Sequence, residues 1–355
     1  MRAILAGAIA LLAFTCVPSV RTLNRTGRAR LLVLLAVAGF CGGNVTQAAD
    51  AARDVGANYP SRPIRFIAPT SPGGANDVLA RMLGARMTAN WGQQVVVDVR
   101  PGAGGIIGTE LAARAAPDGY TLLIVANGYA LNPYLHAKLP YDTLKDLQRV
   151  TLFAVAPLVL VVHPSVPAQS LQELIALAKA RPGQLNYASS GLGSGGWLSI
   201  ELFRSITRVD MNHVPYKGAG QANAAVMGGE VQLLFTSPLA AAPFIKAGRV
   251  RALGVTSAQR VATLAEVPAV AELLPGFEVQ NFFGVLVPGA TPRPIVSKLH
   301  QEIARITALP DVTKQFEALG FEAVDYGPDQ FTAYVKSEMA KWSKILAERG
   351  IKPGS

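Results

Sequence analysis

The chain has 355 residues, half of them hydrophobic, which is enough for two domains and a sizeable core. Its formal net charge of +10 is uneven: of 33 Lys and Arg residues, Arg2, Arg21, Arg25, Arg28 and Arg30 lie in residues 1–48, which hold no acid, leaving 28 basic against 23 acidic residues beyond. That mild excess, with no basic run after the leader and no basic stripe interleaved with aromatics, argues against a nucleic-acid partner.

The N-terminus reads as an export signal. Arg25, Arg28 and Arg30 form a positive region and Leu31 to Phe40 an apolar one, with small residues at Thr46 and Ala48, so cleavage is expected after Ala48. A second apolar stretch, Ala3 to Val17, precedes it and is read as an over-extended start or a long leader. A membrane anchor and a lipoprotein are the alternatives. Neither apolar run reaches the roughly 18–20 residues a spanning helix needs, and Thr15 before Cys16 and Phe40 before Cys41 are poor lipidation contexts. Both cysteines leave with the leader, so no disulfide or thiol chemistry is expected in the mature chain.

From residue 60 onward, β-rich runs alternate with helical patterns. "IRFIAP", "QVVVDVR" and "YTLLIVAN" predict strands, with helices over 77–90 and 106–116 between them. In the first helix Val78, Leu79, Met82, Leu83 and Met87 share one face. "PLVLVVHP" predicts a strand, followed by a helix in which Ser170 and Glu173 form a capping box. "LNYASS", "VDMNHVPY", "VQLLFTS", "VRALGVTS" and "NFFGVLVP" are further strands. Helices are predicted over 294–308, 311–319 and 328–349, the last burying Phe331, Val335, Met339, Trp342 and Leu346. The alternation implies an α/β protein with mostly parallel sheets. Two domains are expected: residues 60–160 plus 282–355 form a discontinuous first domain, and residues 161–281 the second.

Three strand-to-helix junctions are rich in Gly, Ser, Thr and Asn: "APTSPGGAND" (68–77), "ANGYALNP" (126–133) and "YASSGLGSGGW" (187–197). In open α/β sheets ligands bind beyond the carboxyl ends of strands. A helix N-terminus there offers unpaired N–H groups, and small side chains let an anion reach them. Three such turns facing one cleft would hold a carboxylate without arginine. Singly, each is also an ordinary turn with an N-cap at Asn76 or Asp77.

Other chemistries fare worse. Gly191, Gly193 and Gly196 fit G-x-G-x-x-G, and Asp210 follows at a dinucleotide-like spacing, but at the start of the next strand rather than its end. "PGAGGIIG" (101–108) misses that pattern by one residue. There is no P-loop, no HExxH and no G-x-S-x-G elbow, and His136, His163, His213 and His300 are far apart. Trp91 is expected to pack at a helix end. Trp197 either walls a cleft or belongs to the core.

Several blocks in fixed order carry a resemblance: "YPSRPIRFIAP" with the following "PGG", "RPGAGGIIGTELAARAAPDGYTLL", "LPYDTLKDL", "LIALAKARPGQLNYASSGLGS", "HVPYKG" and "IKAGRVRALGVTS". From Tyr59 to Pro353 the chain resembles the Bug family, the periplasmic substrate-binding proteins of tripartite tricarboxylate transporters. The resemblance implies an α/β, two-domain type II periplasmic-binding-protein fold with the ligand cleft between the domains. It implies a small carboxylate ligand held largely by backbone amides and water, with ligand loops matching Pro69 to Asp77 and the "YASSGLGS" turn. Three positions depart from the family: Thr70 stands where Phe is common, Trp197 where His is common, and Thr236 and Ser237 where Asp-Asn is common. Losing an acid and gaining an indole there would move preference towards a more apolar or aromatic acid.

The expectation is therefore an exported, periplasmic, monomeric solute-binding protein, not an enzyme, with no cofactor and no metal. Thr70, Ser71, Gly73, Gly74 and Asn127 are expected to contact ligand from one domain, and Ser189, Ser190, Gly193, Ser194, Trp197 and Thr236 from the other. Asp77 caps and orients the first loop. Partners are a membrane permease or a sensor protein. The alternatives are an exported enzyme using the Gly-rich turns for a dinucleotide or acyl group, and a surface interaction protein.

Overall fold

The computed structural model describes residues 58–354; the expected leader, its cleavage point and both cysteines lie outside the described residues. The first half of the described chain runs β1 (Ile64–Ala68), α1 (Ala75–Trp91), β2 (Val95–Val99), α2 (Ile106–Ala113), β3 (Thr121–Val125), α3 (Gly128–Leu135), β4 (Leu147–Pro157), β5 (Val159–Val162), α4 (Leu171–Ala180) and β6 (Asn186–Ser189). It continues through α5 (Gly195–Thr207), β7 (Asn212–Pro215), α6 (Ala219–Met227), β8 (Leu233–Thr236), α7 (Pro238–Lys246), β9 (Arg251–Val255), β10 (Gln280–Pro288), α8 (Arg293–Thr307), α9 (Pro310–Leu319), β11 (Glu322–Tyr326) and α10 (Pro328–Glu348). No helix among the described residues is long and apolar enough to cross a membrane.

Local sequence explains most helix ends. Gly92 takes a left-handed φ of 67° and returns its N–H to Thr88 O, closing α1. Proline occupies the first or second helical position of α7, α8, α9 and α10, where its missing N–H costs nothing. The capping box on α4 differs by one residue from the expectation. Ser170 accepts from Glu173 N, but the Glu173 carboxylate accepts from Gln169 N, at 2.7 Å. On α10, Phe331, Val335, Trp342 and Leu346 are buried as the period demands, Ile345 joins them, and Met339 is only half-buried.

The strands form two sheets, ordered β11-β4-β10-β3-β1-β2 and β7-β6-β8-β5-β9. Both are mixed rather than mostly parallel. β1 runs parallel to β2 and β3, but β10 is antiparallel to β3 and β4, and β11 to β4. In the second sheet β6 is parallel to β7 and β8, and β5 antiparallel to β8 and β9. The cause is that β5 and β10 are crossing strands, each reached from the other sheet, β5 directly through Leu158 and β10 through the segment 256–279. β4 and β11, absent from the sequence expectation, fill the edge beyond β10.

These pairings orient the site. β1, β3 and β4 point the same way, so Ala68, Val125 and Pro157 end on one sheet edge, where β10 begins at Gln280. By the same logic Ser189, Thr236 and Val255 end on one edge of the second sheet, where β5 begins at Val159. Only Leu158 separates β4 from β5, so these two edges face each other. Buried Thr256 ties the crossings together: its Oγ1 accepts from Leu158 N at 2.8 Å, its N–H donates to Leu158 O at 2.8 Å, and its carbonyl accepts from Val279 N at 3.1 Å.

One hydrophobic core belongs to the first sheet, packing Phe66, Ile124 and Phe283 against Leu79 and Leu83 of α1 and Leu299 of α8. Another belongs to the second sheet, with Val161 and Leu234 against Val226 of α6 and Ala241 of α7. A third is continuous across both, running from Leu131 and Leu152 through Leu160, Tyr187 and Phe203 to Phe331 and Trp342 of α10. The sheets are therefore joined by apolar packing on one face as well as by the crossing strands.

Candidate functional site

The buried strand β1 ends at Ala68, and the chain turns over Pro69 to Gly74 before α1 begins. Gly73 takes φ 75°, a conformation that disfavours a side chain. Asp77 sits behind this turn, buried, with one carboxylate oxygen accepting from Gly73 N at 2.8 Å and the other paired with Arg81 Nε at 2.7 Å. Gly74 N is also engaged, donating to Ser71 O at 3.1 Å. The N–H groups of both glycines are thus engaged within the turn. α1 has no side-chain cap, so the N–H groups of Ala75, Asn76 and Asp77 are its open first-turn donors. Ser71 is exposed, and Thr70 Oγ1 is sequestered without a hydrogen-bond partner.

The glycine run that narrowly misses a nucleotide motif assembles the turns. A Cβ on Gly108 would lie 2.7 Å from Pro69 Cβ, and one on Gly105 would lie 3.5 Å from the same atom. The carbonyl of Gly104 would stand 3.4 Å from a Cβ on Gly128, at the start of α3. A Cβ on Gly193 would lie 3.0 Å from Leu135 Cδ1 and 4.0 Å from Gly128 Cα. Four segments distant in sequence are thereby packed closely together: the β1–α1 turn on the Gly102–Gly108 segment, that segment on the β3–α3 turn, and the β6–α5 turn on the same α3. Gly195 abuts Asn281 of β10, and a Cβ on Gly196 would lie 2.6 Å from Phe235 O of β8.

Asn127, expected at the ligand, has both ends of its amide engaged within the scaffold. It is buried, its Nδ2 donates to Gln280 O at 3.0 Å, and its Oδ1 accepts from Phe282 N at 3.0 Å. It thereby fastens the β3–α3 turn to the start of β10. Replacing it with leucine strands one buried donor and one buried acceptor, each worth about 1–3 kcal/mol. The expected outcome is a stability loss of about 2–5 kcal/mol in urea unfolding, with far-UV circular dichroism unchanged at low denaturant.

In the β6–α5 turn, Gly191 and Gly193 take φ 114° and 74°. Ser194 caps α5, accepting from Trp197 N at 3.4 Å and donating to Gly191 O at 2.7 Å. Ser189 is buried and engaged within the protein: its Oγ accepts from Gly191 N at 3.0 Å and lies 2.7 Å from His213 Nε2. Ser190 is exposed. Trp197 is 2% exposed, so its indole belongs to the core; it lines a cavity of about 210 Å³ with Leu135, Tyr187, Glu201, Arg204 and His213. Glu201 anchors that region. It accepts from Tyr187 Oη at 2.8 Å and Arg204 Nη1 at 2.9 Å, and pairs with Arg349 Nε at 3.3 Å.

Burial, reinforced by the Arg204 guanidinium and opposed by Glu201, holds His213 below the usual histidine range. The unfolded chain then takes up a proton near pH 6.5 that the folded chain refuses. The stabilisation is complete above that pH and is lost as pH falls through the lowered folded value. The unfolding midpoint should therefore drop between pH 7 and pH 5 in differential scanning fluorimetry, and drop less in His213→Gln.

The dinucleotide alternative fails on geometry. Asp210 precedes β7 and its carboxylate faces Arg204 at 3.3 Å, at the opposite end of the sheet from the Gly-rich turn. Ser189 and His213 do not form an accessible nucleophile pair, because Ser189 is 1% exposed. Among the described residues no group of three or more His, Cys, Asp or Glu could hold a metal ion. Thr236 ends β8, buried, and Ser237 starts α7 without a side-chain cap. A separate cavity of about 840 Å³ lies beside both crossings, lined by Pro157, Pro238, Arg260, Gln280, Phe316 and Phe321; none of the three turns borders it.

Comparison with known proteins agrees with this architecture. Residues 79–351 match the model of the tripartite tricarboxylate transporter family receptor. Protein BugT of Bordetella pertussis is 38% identical over 322 residues, covering 90% of this chain and 98% of BugT. An R. palustris protein solved with adipate superposes with a TM-score of 0.77 at 35% identity, covering 83% of this chain and 99% of that one. MatC from Rhodopseudomonas palustris, solved with bound malate, gives 0.73 at 30% identity, covering 81% of this chain and all of MatC (100%). With its two-sheet α/β fold of the periplasmic binding proteins, the chain belongs to the tripartite tricarboxylate transporter receptor family.

Proposed function

We propose that this protein is a periplasmic solute-binding protein that captures a small carboxylate between its two sheets and delivers it to a membrane permease or a sensor. The observation that carries this reading is the stacking of three Gly-rich turns at facing sheet edges, with α1 opening there uncapped. N–H groups of an uncapped helix start favour an anion. The only acid on those turns, Asp77, is already engaged by Gly73 N and Arg81. Relatives solved with adipate and malate support the ligand class.

In this reading residues 60–160 with 282–355 make one lobe and residues 161–281 the other. The leader is removed on export, and the protein acts as a monomer without catalysis. Thr70, Ser71 and the first-turn N–H groups of α1 meet the ligand from one lobe; Ser190, Gly193, Ser194 and Thr236 meet it from the other. The lobes close because the ligand touches both only when they are close.

The test is a thermal-shift screen of mature protein against adipate, malate, benzoate and their amides. A rise with at least one acid, absent with its amide, is expected. Equal response to acid and amide, no response at all, or turnover of the acid would overturn the reading.

A further inference from the structure

We propose that His213 is a positioning residue for this site, holding the Gly-Ser turn in its ligand-competent shape through Ser189. This inference rests on the carboxylate-binding reading for its consequence, and on geometry for its mechanism.

The turn from Ser190 to Gly193 has little of its own to hold it. Two of its residues are glycines in the left-handed region, and Leu192 is 54% exposed, so no apolar burial fixes the loop. Its shape depends on hydrogen bonds at its two ends. At the far end Ser194 ties to Gly191 O. At the near end, Ser189 Oγ takes the N–H of Gly191.

Ser189 is itself aimed from outside the turn. His213 lies opposite Tyr187 in the parallel β6–β7 register, and Ser189 is two residues beyond Tyr187, on the same sheet face. The imidazole stacks on the Tyr187 ring, with centroids 4.9 Å apart and planes 17° apart. Tyr187 is fixed in turn by its hydrogen bond to buried Glu201. The stacked ring therefore cannot swing away, and its Nε2 stays 2.7 Å from Ser189 Oγ. Around it stand Glu201 and Arg204 of α5, Tyr187 of β6 and Lys352 of the C-terminal tail. Glu201 is engaged with Tyr187, Arg204 and Arg349, which leaves the imidazole as the group that reaches the serine.

The relay gives the turn a handle on the scaffold. Arg349 follows the C-terminal helix α10, Glu201 joins it to α5 and β6, and His213 passes that rigidity to Ser189 and Gly191. A purely apolar residue at 213 would keep the packing against Tyr187 but lose the aim.

The test compares wild type, His213→Leu, His213→Gln and Ser189→Ala by hydrogen–deuterium exchange over residues 187–197 and by titration with adipate and malate. Leucine should speed exchange of the Gly191 to Ser194 amides by about tenfold, the equivalent of one hydrogen bond, and weaken binding by a similar factor. Glutamine, whose amide can still reach the hydroxyl, should restore both to within about threefold. Ser189→Ala should reproduce the leucine effect with the imidazole intact, which covers the case in which the leucine protein fails to fold. Unchanged exchange in Ser189→Ala, or no restoration by glutamine, would overturn the proposal. If wild type binds none of adipate, malate and benzoate, the carboxylate reading fails, while the exchange rates still decide the role of His213.

Discussion

A Gly108→Val protein is expected to fold yet lose the thermal shift proposed for adipate or malate. Gly108 lies inside α2, where its φ and ψ suit any residue, so the effect is steric. A Cβ there would stand 2.7 Å from Pro69 Cβ, 3.0 Å from Pro69 Cα and 3.1 Å from Arg100 O. Two of those three are backbone atoms, which cannot rotate aside. The β1–α1 turn must move off α2, carrying Thr70 and Ser71 with it. Overpacking of this kind costs about 1–3 kcal/mol, which a domain with this core should survive. The check is the midpoint of thermal unfolding with and without adipate or malate. A ligand shift equal to that of wild type would show that the turn does not need its seat on α2. Gly74 is a weaker probe, because its φ of −72° accepts a side chain and a Cβ there meets only Ser71 O at 3.1 Å and Thr70 at 3.5 Å or more.

Glu201→Leu is expected to be strongly destabilising for the packing around the second sheet. Glu201 is 1% exposed and serves Tyr187, Arg204 and Arg349 at once. Removing it leaves the mostly buried Arg204 with only the weaker contact to Asp210, and leaves the Tyr187 hydroxyl without its acceptor. Losing one partner of a buried ion pair costs about 3–5 kcal/mol, because the other charge stays desolvated. Glu201→Gln retains an acceptor for Tyr187 and should cost less. Guanidinium unfolding of the two variants separates charge from shape: equal midpoints would mean that the retained acceptor does not matter and that the lost charge carries the whole effect. Both variants should also loosen the Gly-Ser turn, since Tyr187 holds the His213 ring in place.

Much of the site was legible from short-range chemistry. A buried strand running into Pro69 and Gly73 announces a turn, and Asp77 placed just inside the next helix announces a carboxylate that turns back to its N-terminus. The contact of Asp77 with Gly73 N matches that expectation, because capping acts over a few residues. The three Gly-rich junctions were visible for the same reason. The hydrogen bonds of Asn127 were not legible, since its two partners, Gln280 and Phe282, are more than 150 residues away. The partner of Ser189 was hidden on similar grounds: His213 comes from the neighbouring strand.

The sheets show the same division. Hydrophobic runs located β1, β3, β5 and β10, but their pattern carries no information on direction. Buried parallel and crossing antiparallel strands read alike as continuous apolar segments. The insertion of β10 between β3 and β4 makes the sheet mixed, and it follows from where the chain crosses back. The edge strand β11, exposed at four of its five residues, had no apolar run to reveal it.

Composition and periodicity were thus sufficient for the α/β class, the positions of most helices, and the presence of anion-friendly turns, because each depends on neighbours within a turn or two of chain. Which N–H groups remain open, and that the turns share one place, depend on close backbone approaches at Gly104, Gly108, Gly128 and Gly193. Those glycines look alike in sequence. Their roles arise from which distant backbone lies against each, and that is set by strand pairing and by the burial of two sheets against a common core.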